Sequence, residues 1–137
     1  MTEHWVINAS PLILLGKAGQ LDWLAKLGTV AIPQSVAAEI SAGSEADPAR
    51  QFIVRADGGA LVQADAPASD ALKAWDLGAG ETSVVAWAVH HKEFEAVLDD
   101  AAARVCAGVF GVRYRGNSQP RGVGQKTWLH RGVSPCV

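Results

Sequence analysis

The sequence predicts an α/β fold, namely a three-layer α/β/α sandwich around a mostly parallel sheet. Short apolar or β-branched runs alternate with stretches of helical spacing over residues 4–110, which is the pattern of parallel strands joined by crossover helices. The segment 82–89 is apolar almost all round, as expected of a helix buried against a sheet. Gly and Pro residues separate these stretches, and no internal repeat interrupts the alternation.

Three strands are predicted in the first half of the chain. The strand at 4–8 is followed by Ser10-Pro11, a good N-cap residue and a good first helical residue. Pro33 and Asp47-Pro48 mark two further helix starts, and Gly58-Gly59 marks a turn into a strand. The predicted elements are strands at 4–8, 29–32 and 60–63, and helices at 11–17, 20–27, 33–40 and 47–56.

The second half repeats the alternation up to residue 114. Leu77–Gly80 is predicted to be a glycine-rich loop that ends where Glu81 begins the apolar helix. Cys106 is predicted to face the core of the following helix, because free cysteine is usually buried. The predicted elements are helices at 69–75, 81–91 and 101–109, a strand at 94–98, and a short strand at 112–114.

Composition and charge place limits on the class of protein. The 137 residues are 49% hydrophobic and 19% charged, which fits one globular domain. No apolar stretch is long enough to span a membrane, and Cys106 and Cys136 lack ligand-like spacing, so we expect a reduced cytoplasmic protein without a membrane partner. Residues 1–100 carry a net charge of −8 and residues 101–137 a net charge of +6.

Four acidic residues and one amide stand where a site is expected. Asn8 and the pair Asp99-Asp100 end predicted strands, and Glu81 begins a helix after a glycine loop. These positions share one edge of a parallel sheet, and Glu39, about one and a half turns into its helix, points back toward that edge. Clustered carboxylates repel one another, and a divalent cation relieves the repulsion. Because all the ligands are oxygens, Mg²⁺ or Mn²⁺ is expected, with phosphodiester hydrolysis as the chemistry.

Each of these residues also has a purely structural interpretation. Glu81 is favourable in a first helical turn because of the helix dipole, and Glu39 suits a solvated helix face. The pair Asp99-Asp100 suits an N-cap followed by a first-turn acid, and Asn8 suits the cap of a turn. The order and spacing of the residues, rather than any one of them, favour the metal site.

That order resembles the PIN domain, specifically its VapC-like branch. The matching segments are Val6–Ile13, Ile32–Ile40, Leu77–Thr82 and Leu98–Arg104, and the resemblance covers about residues 4–116. It implies an acidic site that binds Mg²⁺ or Mn²⁺, cleavage of single-stranded RNA, and a toxin held inactive by a cognate antitoxin protein, often as a homodimer.

The resemblance also assigns roles by position. Glu39, Glu81 and Asp100 match three acids of the family's catalytic set, and Asp99 lies beside the last of them. Asn8 stands where the family usually has its first aspartate, so the expected metal ligands are Asn8, Glu39, Glu81, Asp99 and Asp100. Ser10 and Arg104 are the expected substrate-binding residues.

Two departures from the family pattern matter. Asn8 offers a carbonyl oxygen without a charge, so metal affinity and activity should fall. After Gly116 the family's buried strand and apolar helix are missing, and a back-translation of residues 116–132 shifted by one base permits an apolar run like that ending. We therefore divide the chain into a PIN-like domain at 1–116 and an irregular basic tail at 117–137, interpreted as out-of-frame translation rather than a nucleic-acid-binding arm.

Two other functions stay open at this point. The first is a catalytically weak or inactive PIN-fold module that binds nucleic acid or a protein partner, since Asn8 weakens the site. The second is an unrelated doubly wound regulatory domain with a phospho-acceptor, for which Glu3-His4 is a poor candidate because an acidic pair is wanted there.

Overall fold

The computed structural model describes residues 3–116, without the side chains of residues 3, 25, 27, 28 and 57. Within this range five parallel strands form one sheet in the order β3-β2-β1-β4-β5. The strands are β1 (Glu3–Ile7), β2 (Gly28–Pro33), β3 (Val62–Gln63), β4 (Glu95–Val97) and β5 (Tyr114–Arg115). The predicted α/β/α sandwich with a mostly parallel sheet is confirmed.

Eight helices connect these strands within the described range. They are α1 (Ala9–Lys17), α2 (Leu21–Leu27), α3 (Gln34–Ser41), α4 (Pro48–Val54), α5 (Ala56–Gly59), α6 (Asp70–Lys73), α7 (Ala79–His90) and α8 (Ala101–Val109). The chain moves from β1 outward to β3 and then returns to β4 and β5 on the other side of β1. The connections before and after β3 therefore run in opposite directions along the sheet.

The reversal of strand order lies between β1 and β4. These strands pair in parallel, and the backbone N–H of Asn8 donates to the carbonyl of Val97 at 3.1 Å. The residues that follow both strands therefore emerge side by side at the carboxyl edge. In doubly wound sheets this switch point is where ligands bind.

Helix α7 forms the centre of the core on its face of the sheet. It packs against β1, β2 and β4, and its buried residues are Gly80, Ser83, Val84, Val85, Ala86 and Ala88. The expectation of an apolar helix against the sheet is thus confirmed. Other fully buried residues lie in or next to the strands and in α1: Ile7, Leu12, Ile32 and Leu98.

A buried ion pair anchors the edge strand β5. Arg115 Nε lies 3.1 Å from Glu95 Oε1, and the side chains of the two residues are only 12% and 10% exposed. The Arg115 guanidinium also lies over the Trp5 ring, 4.8 Å from its centroid. The adjacent strands β1, β4 and β5 are therefore tied together by side chains as well as by backbone hydrogen bonds.

Two predicted helix starts were wrong. Helix α1 begins at Ala9 rather than Pro11, because Asn8 already has extended backbone and its carbonyl accepts from Leu12 N at 3.2 Å. Pro11 is tolerated because the first helical N–H groups need no intrahelical acceptor. Helix α7 begins at Ala79 rather than Glu81, with Gly78 as its N-cap residue.

Other boundaries differ by a few residues. The last strand is 114–115 rather than 112–114, and the predicted helix at 47–56 divides into α4 and α5 at Arg55, whose backbone is extended.

Cys106 is fully buried, as predicted. No helix among residues 3–116 has the length and hydropathy to cross a membrane. The predicted irregular tail at 117–137 lies outside the described residues.

Candidate active site

Two of the predicted ligands converge on Gly80 at the carboxyl edge of the sheet. An ideal Cβ placed on Gly80 would lie 2.7 Å from Glu39 Oε1 and 2.9 Å from Asn8 Oδ1. Both oxygens therefore face one point above the first turn of α7. The two residues come from different elements, since Asn8 follows β1 and Glu39 lies on α3.

The side-chain carbonyl oxygen of Asn8 is buried and lacks a hydrogen-bond partner within residues 3–116. The exposed fraction of the whole residue is 4%. Although Asn8 is the N-cap residue of α1, its side chain makes no capping bond, so the interpretation of Asn8 as a simple cap fails. A buried, unsatisfied polar atom costs about 1–3 kcal/mol, and a bound cation or donor would remove that cost.

Glu39 is an exposed residue whose carboxylate points toward Gly80. The residue is exposed, as the solvated-glutamate interpretation requires, yet Oε1 turns inward to Gly80. Helix α3 follows β2 directly after Pro33, and it packs against α7 more closely than against its own strand. This packing holds Glu39 within reach of the carboxyl edge.

Glu81 also lies in the first turn of α7, but its carboxylate points toward Gly78, the N-cap residue of that helix. Glu81 is the third residue of the helix, and an ideal Cβ on Gly78 would lie 2.6 Å from Glu81 Oε1. A carboxylate in this position is stabilised by the positive end of the helix dipole. Glu81 is half-buried, so both its structural interpretation and a ligand role remain compatible with its position.

Asp99 and Asp100 stand at the carboxyl end of β4, beside the end of β1. Asp100 is the N-cap residue of α8, and its Oδ2 accepts from Ala103 N at 2.9 Å. The capping interpretation is therefore correct for Asp100 rather than for Asp99. One oxygen of Asp100 is occupied by this cap, and Asp99 is the less exposed of the two residues.

The two predicted substrate-binding residues flank this edge. Arg104 donates from Nη1 to the carbonyls of Asp99, at 2.8 Å, and Leu98, at 3.3 Å. These bonds fix a positive charge beside the end of β4. Ser10 is exposed in the first turn of α1, two residues after Asn8.

Taken together, the acidic residues share an edge without forming a closed cluster. Among residues 3–116, no group of three His, Cys, Asp or Glu side chains lies close enough to hold a metal ion. The reason is local: Asp100 caps α8 and Glu81 turns toward Gly78. The convergence that the structure shows is between Asn8, an amide, and Glu39.

Comparison with known families identifies the fold. The model of the DUF3368 family, described as a PIN domain, matches residues 4–117. The chain belongs to the PIN domain family. PIN domains are typically nucleases and generally use divalent metals. No curated protein and no solved structure matches the chain significantly.

Sequence reasoning missed the part played by Gly80. The sequence predicted a loop there, whereas Gly80 is a buried helical residue that leaves space for two oxygens. A glycine next to a helical pattern already indicates a close approach of other groups.

His90 and His91, at the other end of α7, bond to the carbonyls of Pro67 and Trp87 and lie apart from this edge.

Proposed function

We propose that this PIN domain is an endoribonuclease that uses Mg²⁺ or Mn²⁺ to hydrolyse RNA phosphodiester bonds. The single observation that supports it most is the convergence of Glu39 Oε1 and the unpartnered Asn8 Oδ1 above Gly80. This point lies beside the β1–β4 switch point, where ligands bind in sheets of this kind.

The donors fit the metal expected of the family. Asn8 and Glu39 would hold the ion, and Glu81, Asp99 and Asp100 would complete its ligands from the same edge. An amide carbonyl and carboxylates are ligands that suit Mg²⁺ and Mn²⁺ rather than zinc. When bound, such an ion supplies Lewis acidity and lowers the pKa of a bound water that attacks phosphorus. We assign Glu39, Glu81 and Asp100 as the catalytic residues.

The chain itself would position the RNA. Arg104 is held by two backbone carbonyls, so its guanidinium is pre-oriented and pairs with a phosphate at little cost in side-chain entropy. Ser10 would donate its hydroxyl to the same strand from the first turn of α1. Together these residues hold the phosphate over the carboxylates.

The biological setting follows from the resemblance to the VapC-like branch. We propose that the protein is the cytoplasmic toxin of a toxin–antitoxin pair, inhibited by a cognate antitoxin and able to form a homodimer. A small antitoxin-like reading frame directly upstream of the coding gene is the expected observation. Co-expression of that frame should suppress RNA cleavage by this protein.

The structure also favours a second candidate, a PIN-fold binding module with weak or no catalysis. Asn8 brings no charge to the site, and no three acidic or imidazole side chains converge among the described residues. Such a module would bind RNA or a protein partner through the same edge without cleaving the strand.

Cleavage of an RNA panel separates the two candidates. The panel is incubated with Mg²⁺, Mn²⁺ or chelator, using the wild-type chain, Asp100→Asn and Glu39→Gln. Glu45→Gln is the matched control, because Glu45 is an exposed carboxylate paired only loosely with Arg50, at 3.7 Å. The nuclease proposal expects metal-dependent cleavage that both site variants reduce and Glu45→Gln retains. Equal cleavage by the variants, or in chelator, would refute it.

A further inference from the structure

A cavity that lies beside the candidate active site has no role in the proposed function. Its volume is about 290 Å³, and it opens at the carboxyl edge beyond β2 and β3. Its polar wall residues are Ser35, Asp65, Lys73, Asp76, Thr82 and Ser83. Apolar residues such as Ala66, Ala68 and Leu77 complete the wall.

The cavity and the candidate active site share two helices. Helix α3 contributes Ser35 to the cavity and Glu39, one turn later, to the site. Helix α7 contributes Ala79 to the cavity, and the next residue, Gly80, underlies the site. Ser35 and Glu39 are four residues apart and are therefore neighbours on the surface of α3, so a strand held at Gly80 lies within reach of the cavity.

One carboxylate of the cavity is fixed by the fold. Asp65 Oδ1 accepts from the backbone N–H of Ser35 at 3.0 Å, and the Ser35 hydroxyl donates to Asp65 Oδ2. These bonds join the chain after β3 to the first turn of α3, so the wall is pre-formed. Each Asp65 oxygen retains a second lone pair for a ligand.

The second carboxylate belongs to an unusual turn. Asp76 has a φ of 56° and is, among the described residues other than glycine, the one with positive φ. It is exposed, and it lies between α6 and α7. Asn and Asp adopt this conformation more readily than other residues. The backbone N–H of Asp76 donates to the carbonyl of Lys73 at 3.0 Å, so this turn brings both a carboxylate and a lysine to the wall of the cavity.

These groups together select a ligand with hydrogen-bond donors, an apolar face and an adjacent negative charge. Two carboxylates can accept both N–H groups of an exocyclic amino group, the alanine and leucine side chains contact a flat apolar surface, and Lys73 attracts an anion. A nucleobase with an exocyclic amino group, attached to a phosphate, has all three properties. The volume is near the lower limit of about 300 Å³ for ligand pockets, so it admits one base rather than a stacked pair.

We propose that this cavity is a subsite for one unpaired, amino-bearing base of the RNA strand, with Lys73 on the adjacent phosphate. Adenine, guanine and cytosine satisfy it better than uracil, which has no exocyclic amino group. The proposal rests on the proposed function, because the strand that enters the cavity is the one whose phosphate lies at Gly80. It makes the active site selective for a single-stranded substrate.

Binding of labelled single-stranded RNA to the full-length protein tests the subsite. Oligo(A), oligo(C) and oligo(U) of equal length are titrated without a divalent metal, so that binding is separated from cleavage. Wild-type protein should bind oligo(A) and oligo(C) about five- to tenfold more tightly than oligo(U). Asp76→Gly suits the positive φ and removes the acceptor, so it should weaken that preference, whereas Asp70→Asn, an exposed change on α6, should retain it.

The phosphate contact is tested by the salt dependence. Lys73→Gln should weaken binding of all three RNAs by a similar factor and reduce the salt slope by about 1. Lys73→Arg should restore the slope. Lys92→Gln is the matched control, because Lys92 is exposed and follows α7 at the opposite edge of the sheet. Circular dichroism spectra of all variants check that each is folded.

The outcomes distinguish this proposal from the proposed function. If Lys73→Gln and Lys92→Gln have the same salt slope, or if Asp76→Gly leaves the base preference unchanged, the subsite is refuted even when metal-dependent cleavage is observed. If the wild-type protein binds RNA as predicted but never cleaves it, the subsite stands and the nuclease proposal falls. Failure of the wild-type protein to bind RNA in this titration refutes the subsite, and the cleavage panel decides the nuclease proposal separately.

Discussion

The substitution Gly80→Ala tests the geometry of the candidate active site directly. The added methyl group would lie 2.7 Å from Glu39 Oε1 and 2.9 Å from Asn8 Oδ1, both shorter than a van der Waals contact. The other neighbour, Val36, lies at an ordinary 3.7 Å. The helix can therefore accept the methyl group, whereas Glu39 Oε1 and Asn8 Oδ1 must both move away from Gly80.

Stability and metal binding should respond in opposite directions. Alanine is favoured over glycine by up to about 1 kcal/mol in a helix, so the unfolding free energy of the metal-free protein should stay constant or rise slightly. Displacing groups at a metal site typically lowers metal affinity by about 10- to 100-fold. We expect that loss for Mn²⁺, measured by isothermal titration calorimetry, together with a parallel loss of RNA cleavage. Thermal unfolding gives the stability.

Gly108→Ala is the matched control for this experiment. Gly108 also lies in a helix, and an added methyl group would meet only Tyr114 Cε2, at 3.7 Å. Its helix should be stabilised without any change in Mn²⁺ affinity. Wild-type Mn²⁺ affinity in Gly80→Ala, or an equal loss in both variants, would show that the oxygens above Gly80 do not share an ion.

Four further predictions follow from other residues. Asn8→Asp places a charge at a buried position, so the metal-free protein should lose about 1–3 kcal/mol of stability and regain it with Mn²⁺, as thermal unfolding with and without metal would show. Asp100→Ala should cost about 1 kcal/mol in urea unfolding through loss of the α8 cap, and Asp100→Asn should retain most of it. Glu95→Ala removes the buried partner of Arg115 and should cost about 3–5 kcal/mol in the same assay; a loss below 1 kcal/mol would contradict the buried pair. Burial raises the pKa of the Cys106 thiol, so in a Cys136→Ser background a disulfide reagent should react at neutral pH only on unfolding. The stability that the protonated thiol provides is complete below its unfolded pKa and is lost as the pH rises through its folded pKa.

The strand and helix order was predictable because hydrophobic patterning determines it. The apolar segment 82–89 indicated a buried helix, and α7 is that helix. The starts of α1 and α7 were less predictable, because they depend on which carbonyl first accepts a helical bond. Asn8 in one case and Gly78 in the other begin the helix without a side-chain capping bond, and the Ser10-Pro11 signal lies inside α1 rather than at its start.

The candidate site was predictable in its location rather than its contacts. Parallel topology places the residues after β1 and β4 at one edge, and Asn8, Asp99 and Asp100 lie there. The sequence contained no information on side-chain direction, and Glu81 turns toward Gly78 while Glu39 reaches Gly80. Glu39 reaches Gly80 because α3 packs against α7, and such packing depends on residues distant in the chain.

The two short outer strands restrict how another chain can join this molecule. Within residues 3–116, β3 and β5 at the margins of the sheet each contain two residues, so a strand added to either margin would gain few backbone hydrogen bonds. Recognition by another protein is thereby directed to the helical surfaces. On α8, Val105 and Val109 already present exposed apolar side chains one turn apart.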